Sequence, residues 1–372
     1  MSNKKTVGII TMHRVQNYGS VLQAYAIVKY LEKLGYEAKV IDYLFPNDYH
    51  AKSRRSNNVR LIEKIKFRLL YRVQNQRRRF NDFIARHIYM TDSVFESRES
   101  ILENPPVFDI YMTGSDQVWN YKCMNGDPTF FCDFAKGKPR VSYASSFTCD
   151  EISDEYKASY ANFLGGYDTL GVRELSAVNI IRNMIGKQAE VVCDPTLLLT
   201  SSEYDTLRST KRINNGKPYI LAYILDYAYN PYPTIIEVID KAHKDLGLDV
   251  IYLHANSINN YHIGRSITSA GPKEFLQLIS QATLVITSSF HGVAFSLNFE
   301  VPFYAITPDS NQDDRILSLL RKVSASSRAI PVGTPIERIE LSYAMDYDKV
   351  RLDLDNYRAQ SQEFLASSLK MY

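Results

Sequence analysis

The sequence predicts two α/β domains in tandem, each an open parallel sheet with helices on both faces. Three observations carry this expectation. Apolar runs of strand length alternate with segments of helix length from the start of the chain; a polar stretch near residue 200 interrupts the series; and a second series of similar size follows. The 372 residues suffice for two domains, and 45% hydrophobic with 23% charged residues suits a soluble globular chain.

The first 45 residues read as a βαβ unit. KTVGIITM is a buried strand, SVLQAYAIVKYLEKLG a helix stopped at Gly35, and YEAKVIDYL a second strand. Residues 52–87 break the rhythm with a helical insertion, in which Ile62, Ile65, Leu69, Val73, Phe80, Phe83 and Ile84 form an apolar stripe among basic residues. Alternation resumes with the strands VFDIYMTGSD and RVSYASSF, a helix near 153–164, the strand TLGVRE, a helix over 176–185 and the strand AEVVCDPTLLL. TSSEYDTLRSTKRINNGK is the linker candidate. Beyond it come the strand PYILAYIL, a helix over 233–246, the strand DVIYLHA, the helix PKEFLQLISQA, the strand TLVITSS, the helix HGVAFSLNF, the strand VPFYAI and a helix over 313–323. The expected domains are therefore 1–200, carrying the insertion at 52–87, and 201–352, with a polar helix over 353–372. Ligands of open parallel sheets sit beyond the carboxyl ends of the strands, so the expected site is a cleft in which the two domains face each other.

Bulk properties exclude several classes. No apolar run approaches the roughly 18 residues of a membrane-spanning helix, and the basic N-terminus leads into a strand without a signal-peptide cleavage site, so a cytoplasmic protein is expected. Cys123, Cys132, Cys149 and Cys193 form no C-x-x-C pair and no zinc pattern; reduced thiols and no metal are expected. The net charge of +3 hides an asymmetry: Lys52 to Arg79 holds eleven Lys/Arg against Glu63 alone, so this stretch carries +10 and the rest −7. It reads either as a solvated helix or as a peripheral contact to an anionic membrane surface. Nucleic-acid binding would need the basic face to extend into an aromatic-bearing groove, and it is confined to one segment.

Candidate site residues gather at strand ends. In the first βα loop, T-M-H-R-V-Q-N-Y-G-S, Asn17, Gly19 and Ser20 form either a capped tight turn or an anion site at a helix N-terminus. Asp42 stands where a ribose-binding acid would be, but one glycine of G-x-G-x-x-G is weak support for a dinucleotide. The next strands finish in Gly114-Ser115-Asp116, in Ser145 and Ser146, and in Arg173-Glu174, each of which alone reads as a helix cap and which together suggest a functional edge. Asp194-Pro195-Thr196 reads as a turn with an Asp cap. In the second domain, ITSSFHGVAFSLN runs a strand through Ser288 and Ser289 into His291 and Gly292 at the start of a helix. There His291 reads either as a core histidine or as a candidate acid/base, and the glycine would let an anion approach the helix N-terminus. Arg315 follows the polar loop P-D-S-N-Q-D-D-R and offers a fork of donors to a carboxylate or phosphate. No Walker loop, nucleophile elbow or carboxylate pair of known spacing is present, which points to transfer from a phosphorylated donor without a metal or organic cofactor.

At these residues the chain resembles the polysaccharide pyruvyl transferase family. NYGSVLQAYAIVKYLEKLGYEAKVIDY, TGSDQVWN, SYASSF, VRE, VVCDPTLLL and TSSFHGVAFSLNFEVPFYAI resemble its motifs in order, over about residues 6–325. The resemblance implies two Rossmann-like domains in a GT-B-like arrangement with the active site between them. It implies transfer of pyruvate from phosphoenolpyruvate onto two hydroxyls of a sugar as a cyclic ketal in bacterial surface-polysaccharide biosynthesis, with release of phosphate. The acceptor is then a sugar, lipid-linked or nucleotide-linked. Several members carry Arg-x-His at the histidine; here the arginine position is Ser289, so His291 matches and the cation must come from elsewhere, Arg315 or Arg173. A GT-B glycosyltransferase using a nucleotide sugar is the alternative, although the residues around His291 offer hydroxyls rather than a ribose-binding carboxylate.

Overall fold

The computed structural model describes residues 4–44, 63–209, 211–253, 263–309 and 315–372, with backbone alone for 63–73. The chain divides into two compact units, one of residues 1–70, 81–198 and 358–372, the other of 71–80 and 199–357.

The first unit holds a parallel seven-stranded sheet. In chain order its strands are β1 (Thr6–Ile10), β2 (Glu37–Tyr43), β3 (Met90–Phe95), β4 (Ile110–Thr113), β5 (Arg140–Ser145), β6 (Thr169–Val172) and β7 (Glu190–Val191). Their spatial order is β3-β2-β1-β4-β5-β6-β7. The second unit holds a parallel six-stranded sheet of β8 (Tyr219–Tyr223), β9 (Asp249–Leu253), β10 (Arg265–Ile267), β11 (Leu284–Thr287), β12 (Phe303–Thr307) and β13 (Ala329–Pro331), ordered β10-β9-β8-β11-β12-β13. Both sheets start in the middle, run to one edge, and return to build the other half. This is the doubly wound order, and its switch point, where a ligand crevice opens, falls between β1 and β4 in one unit and between β8 and β11 in the other.

The central strands are covered on both faces, which is why they read as unbroken apolar runs: YILAY of β8 and LVIT of β11 are buried at every position. Gly8 in β1 is required by packing, since a Cβ there would lie 2.3 Å from the Phe108 ring. The strands that the sequence hid are peripheral. β3 shows no alternation and is buried only at Phe95, whereas β10 and β13 have three residues each. AEVVCDPTLLL departs from its expected form as one strand: only Glu190–Val191 pair, and Pro195–Leu198 turn into a helix.

The helices that matter for the site are α1 (Tyr18–Lys33), α2 (Glu63–His87), and three that follow β10, β11 and β12: α3 (Pro272–Ser280), α4 (Phe290–Asn298) and α5 (Arg315–Lys322). Phe80, Phe83 and Ile84 of α2 are buried as its stripe requires, and Arg77, Arg78 and Arg79 are exposed. Residues 52–62 of the expected basic insertion lie outside the described residues. The C-terminal helix starts at Tyr347, earlier than the polar pattern suggests, and ends at Lys370. Among the described residues no helix is long and apolar enough to cross a membrane.

Candidate active site

In the first unit, the polar strand ends are tied into one buried floor. Asn17 caps α1, its Oδ1 accepting from the Gly19 and Ser20 amides at 2.9 and 3.3 Å. The Gly19 and Ser20 amides are thus engaged within the chain by the Asn17 cap. The Ser20 hydroxyl donates to Asp116, whose backbone lies in the left-handed region at φ 81° and whose Oδ1 accepts from the Gln117 amide at 2.9 Å. Ser115 Oγ donates to Asp194 at 2.8 Å, and Ser145 Oγ donates to the Gly114 carbonyl at 2.9 Å. Ser146 Oγ donates to Glu174 at 2.9 Å. Ala144, also left-handed at φ 55°, puts an irregularity into β5 that turns Ser145 and Ser146 toward these partners.

Arg173 sits under this floor at 3% exposure, with its guanidinium 2.9 Å from Asp194 and 3.7 Å from Asp116. That charge is balanced by two buried carboxylates, so Arg173 holds the strand ends together. Asp194, read from sequence as a turn residue, is the hub: besides Arg173 and Ser115 it accepts from the Thr196 amide and hydroxyl at 2.9 and 2.7 Å. Asp-Pro at a strand end is the start signal of a helix, and that signal could have found it.

A second cluster escaped the sequence reading. His13 Nε2 lies 3.0 Å from Asp42, Arg14 Nε donates to the same carboxylate at 2.6 Å, and the His13 Nδ1 faces the Thr11 carbonyl at 3.1 Å. Asp42 is therefore occupied by its own chain, and the ribose-binding role considered for it is corrected. Burial would push its carboxyl up, but hydrogen bonds from Arg14 and His13 outweigh this and hold it well below the usual carboxylate range. A depressed pKa contributes stability above the ordinary carboxylate value of about 4, which is lost as pH falls through the folded value. Asp42→Asn should therefore lower Tm near neutrality, and the gap to the unsubstituted protein should close in strong acid. Thermal melts across acid pH check this.

In the second unit, the β11–α4 turn is stitched to β8. Thr287 Oγ1 donates to the Tyr223 carbonyl at 2.6 Å, and Ser288 Oγ donates to the Leu225 carbonyl at 2.7 Å. Ser289 is the N-cap of α4, its hydroxyl accepting from the Gly292 amide at 3.3 Å. Gly292 has a packing reason of its own beside the opening expected for an anion. A Cβ there would lie 2.4 Å from Thr287 Oγ1 and 3.0 Å from its Cβ, so the glycine exists to let α4 start against β11. Gly292→Ala should cost on the order of 1–3 kcal/mol through overpacking. Thr287→Ser, which removes the Cγ2 methyl 3.0 Å from that position but keeps Oγ1, should recover only a small part of that loss in a double-mutant melt.

His291 occupies the first turn of α4, 6% exposed, its ring edge-on to Phe290 at 5.3 Å. Arg315 opens α5 and is 7% exposed; residues 310–314 of the polar loop before it lie outside the described residues. β11 and β12 are paired in parallel, and α4 packs against α5, so His291 and Arg315 head neighbouring helices at the same sheet edge. Of the two arginines considered as the replacement cation, Arg315 is the one in the unit that carries His291.

Among the described residues no group of three His, Cys, Asp or Glu could hold a metal ion, and all four cysteines are free. Burial pushes the Cys132 thiol up to about 12 and the Cys193 thiol up to about 11, so neither is a nucleophile near neutrality.

Solved structures share the architecture. The UDP-GlcNAc 2-epimerase of Methanocaldococcus jannaschii, in complex with UDP-GlcNAc and UDP, superposes with a TM-score of 0.51 at 14% identity over 100% of each chain. The S. aureus MnaA–UDP co-structure gives 0.50 at 12% identity, over 97% of this chain and 90% of that one. At such identities the likeness is one of fold, the GT-B fold of two parallel-sheet α/β units. No curated protein sequence matches the chain. The family model for polysaccharide pyruvyl transferase matches residues 17–310, from the Asn17 cap of α1 through the His291 turn and past β12. The chain belongs to the polysaccharide pyruvyl transferase family and is a transferase.

Proposed function

We propose that this enzyme moves the pyruvyl group of phosphoenolpyruvate onto two hydroxyls of one sugar as a cyclic ketal, releasing phosphate. Family membership over residues 17–310 is the observation that carries the reading. The second unit supplies a fitting acid, since His291 stands at a strand-to-helix turn fixed by Thr287, Ser288 and Ser289.

In this reading, protonated His291 delivers its proton to the methylene carbon of phosphoenolpyruvate, leaving C2 as an oxocarbenium centre. One sugar hydroxyl adds there and gives its proton to the imidazole just emptied, which restores the acid. The C2–O bond to phosphate breaks, the second hydroxyl closes the ring, and its proton leaves with phosphate. Arg315 is the cation assigned to the donor's carboxylate or phosphate, where a guanidinium fork matches two oxygens. It takes the place of the arginine that several family members carry at the position of Ser289. Here that position is a helix cap, and an arginine would forfeit the cap bond to Gly292.

Phosphate release from phosphoenolpyruvate with galactose- or mannose-type acceptors tests the reading. If no acceptor yields phosphate and a nucleotide sugar is turned over instead, the glycosyltransferase alternative replaces it. Stabilisation by phosphoenolpyruvate but not by UDP or GDP separates the two without an acceptor.

A lipid-linked or nucleotide-linked acceptor and a peripheral hold on the inner face of the membrane extend the same proposal. Arg77 and Arg78 of α2 are exposed, and Arg79 donates to the Ser269 carbonyl at 2.9 Å beside Glu274. Replacing Arg77, Arg78 and Arg79 with Glu should abolish association with anionic vesicles while leaving turnover of soluble acceptors intact. Vesicle binding that survives the triple change contradicts the membrane contact.

A further inference from the structure

The loop after β8 carries a half-exposed aromatic residue, Tyr227. β8 and β11 are neighbours, and their last registered pair is Tyr223 with Thr287. Four residues beyond that pair, after the two strands, stand Tyr227 and His291. The loop is bolted to the turn that carries His291. The Leu225 amide donates to Ser288 Oγ at 2.8 Å, and Ser288 Oγ donates back to the Leu225 carbonyl at 2.7 Å. On the other side, the Tyr229 hydroxyl lies 2.5 Å from the Ile306 carbonyl of β12 and 3.3 Å from that of Ser288. Between these two anchors lie Asp226, Tyr227 and Ala228, all exposed, with Tyr227 at 55%.

The result is a short rigid shelf at the carboxyl edge of the second sheet, bearing a ring, a carboxylate and a small residue between them and the second anchor. Because both ends are held by strand-end hydrogen bonds, the ring is presented to solvent without the entropy of a loose loop. An aromatic face suits the C–H face of a pyranose, and a neighbouring carboxylate accepts hydrogen bonds from its hydroxyls. The same carboxylate repels phosphoenolpyruvate, so the shelf favours an uncharged pyranose ring over the anionic donor.

We propose that Asp226 and Tyr227 form the subsite for the acceptor sugar, Tyr227 stacking on a hexopyranose ring and Asp226 fixing its hydroxyls. The sugar class rests on the pyruvyl-transfer reading above; the placement rests on the loop anchors. The test is binding of methyl β-D-galactopyranoside and methyl α-D-mannopyranoside to the full chain, by saturation-transfer NMR and titration. At least one should bind. Tyr227→Ala and Asp226→Asn should weaken it by about tenfold or more, Tyr227→Trp should retain it, and the thermal shift given by phosphoenolpyruvate should be unchanged in all three. Both positions are exposed, and an unaltered Tm confirms that the variants fold. Affinity within about twofold in Tyr227→Ala, a parallel loss of the phosphoenolpyruvate shift, or no binding of either glycoside overturns the subsite. Phosphate release measured alongside separates the two proposals. Glycoside binding through Tyr227 without phosphate release leaves the subsite and removes pyruvyl transfer, whereas phosphate release unaffected in Tyr227→Ala removes only the subsite.

Discussion

His291→Ala should abolish phosphate release from phosphoenolpyruvate, lowering kcat by on the order of 10²–10⁴ while the protein stays folded. The size follows from the step assigned to the residue. The methylene carbon is a weak base, and without a positioned acid its protonation must come from water. The histidine is buried beside Phe290 in a helix whose start is fixed by Ser289, so truncation removes a ring but leaves the cap and the stitches to Tyr223 and Leu225 in place. The Tm of His291→Ala should therefore fall far less than that of Gly292→Ala, one residue away. His291→Gln, which keeps polarity without a proton to give near neutrality, should be as inactive as alanine. Activity within about tenfold of the unsubstituted enzyme in either variant would remove His291 from the chemistry.

Asp194→Ala should be the most destabilising single change in the first unit. One carboxylate at 1% exposure accepts four hydrogen bonds, from Ser115, Arg173 and twice from Thr196. Removing it leaves the Arg173 guanidinium, itself 3% exposed, with Asp116 at 3.7 Å as its remaining carboxylate. Breaking a buried pair by deleting one partner costs roughly 3–5 kcal/mol. In a unit of this size that lowers Tm by on the order of 10 °C. Asp194→Asn keeps the shape and some of the bonds and should lose less. The paired change Arg173→Met with Asp194→Leu should recover only part of the loss, because the guanidinium is no longer stranded but buried Asp116 loses its cation and Ser115 and Thr196 lose an acceptor. A Tm for Asp194→Ala close to that of the unsubstituted protein would contradict the account of the floor.

Much of the fold was legible because parallel strands buried on both faces write themselves as apolar runs. KTVGIITM, PYILAYIL and TLVITSS needed no partner to be recognised. Edge elements write less. MTDSVF is buried only at Phe95 and carries no clean period, and three residues are too few to show one at all. The site was legible as positions but not as roles. Ser20, Ser115, Ser145 and Ser146 announce strand ends, yet whether each hydroxyl faces a ligand or a neighbouring strand depends on pairing that only the folded chain sets. His13, Arg14 and Asp42 show this most plainly: Asp42 lies 29 residues beyond His13 in sequence and at hydrogen-bond distance in space, brought there by the β1–β2 pairing. Gly292 is the reverse case. Its position at a helix start invited a ligand, and the side chain it makes room for is Thr287.

The central claim is that this member of the family forms a pyruvate ketal on a sugar with His291 as acid. The most direct measurement incubates the full chain with phosphoenolpyruvate labelled with ¹³C at C2 and a panel of galactose- and mannose-type acceptors, reading free phosphate and the NMR signal of C2. The account predicts phosphate released in step with a new quaternary ketal carbon attached to the acceptor, and neither product with His291→Ala. Label that stays in phosphoenolpyruvate while a nucleotide sugar is consumed, or ketal formation undiminished in His291→Ala, would contradict it.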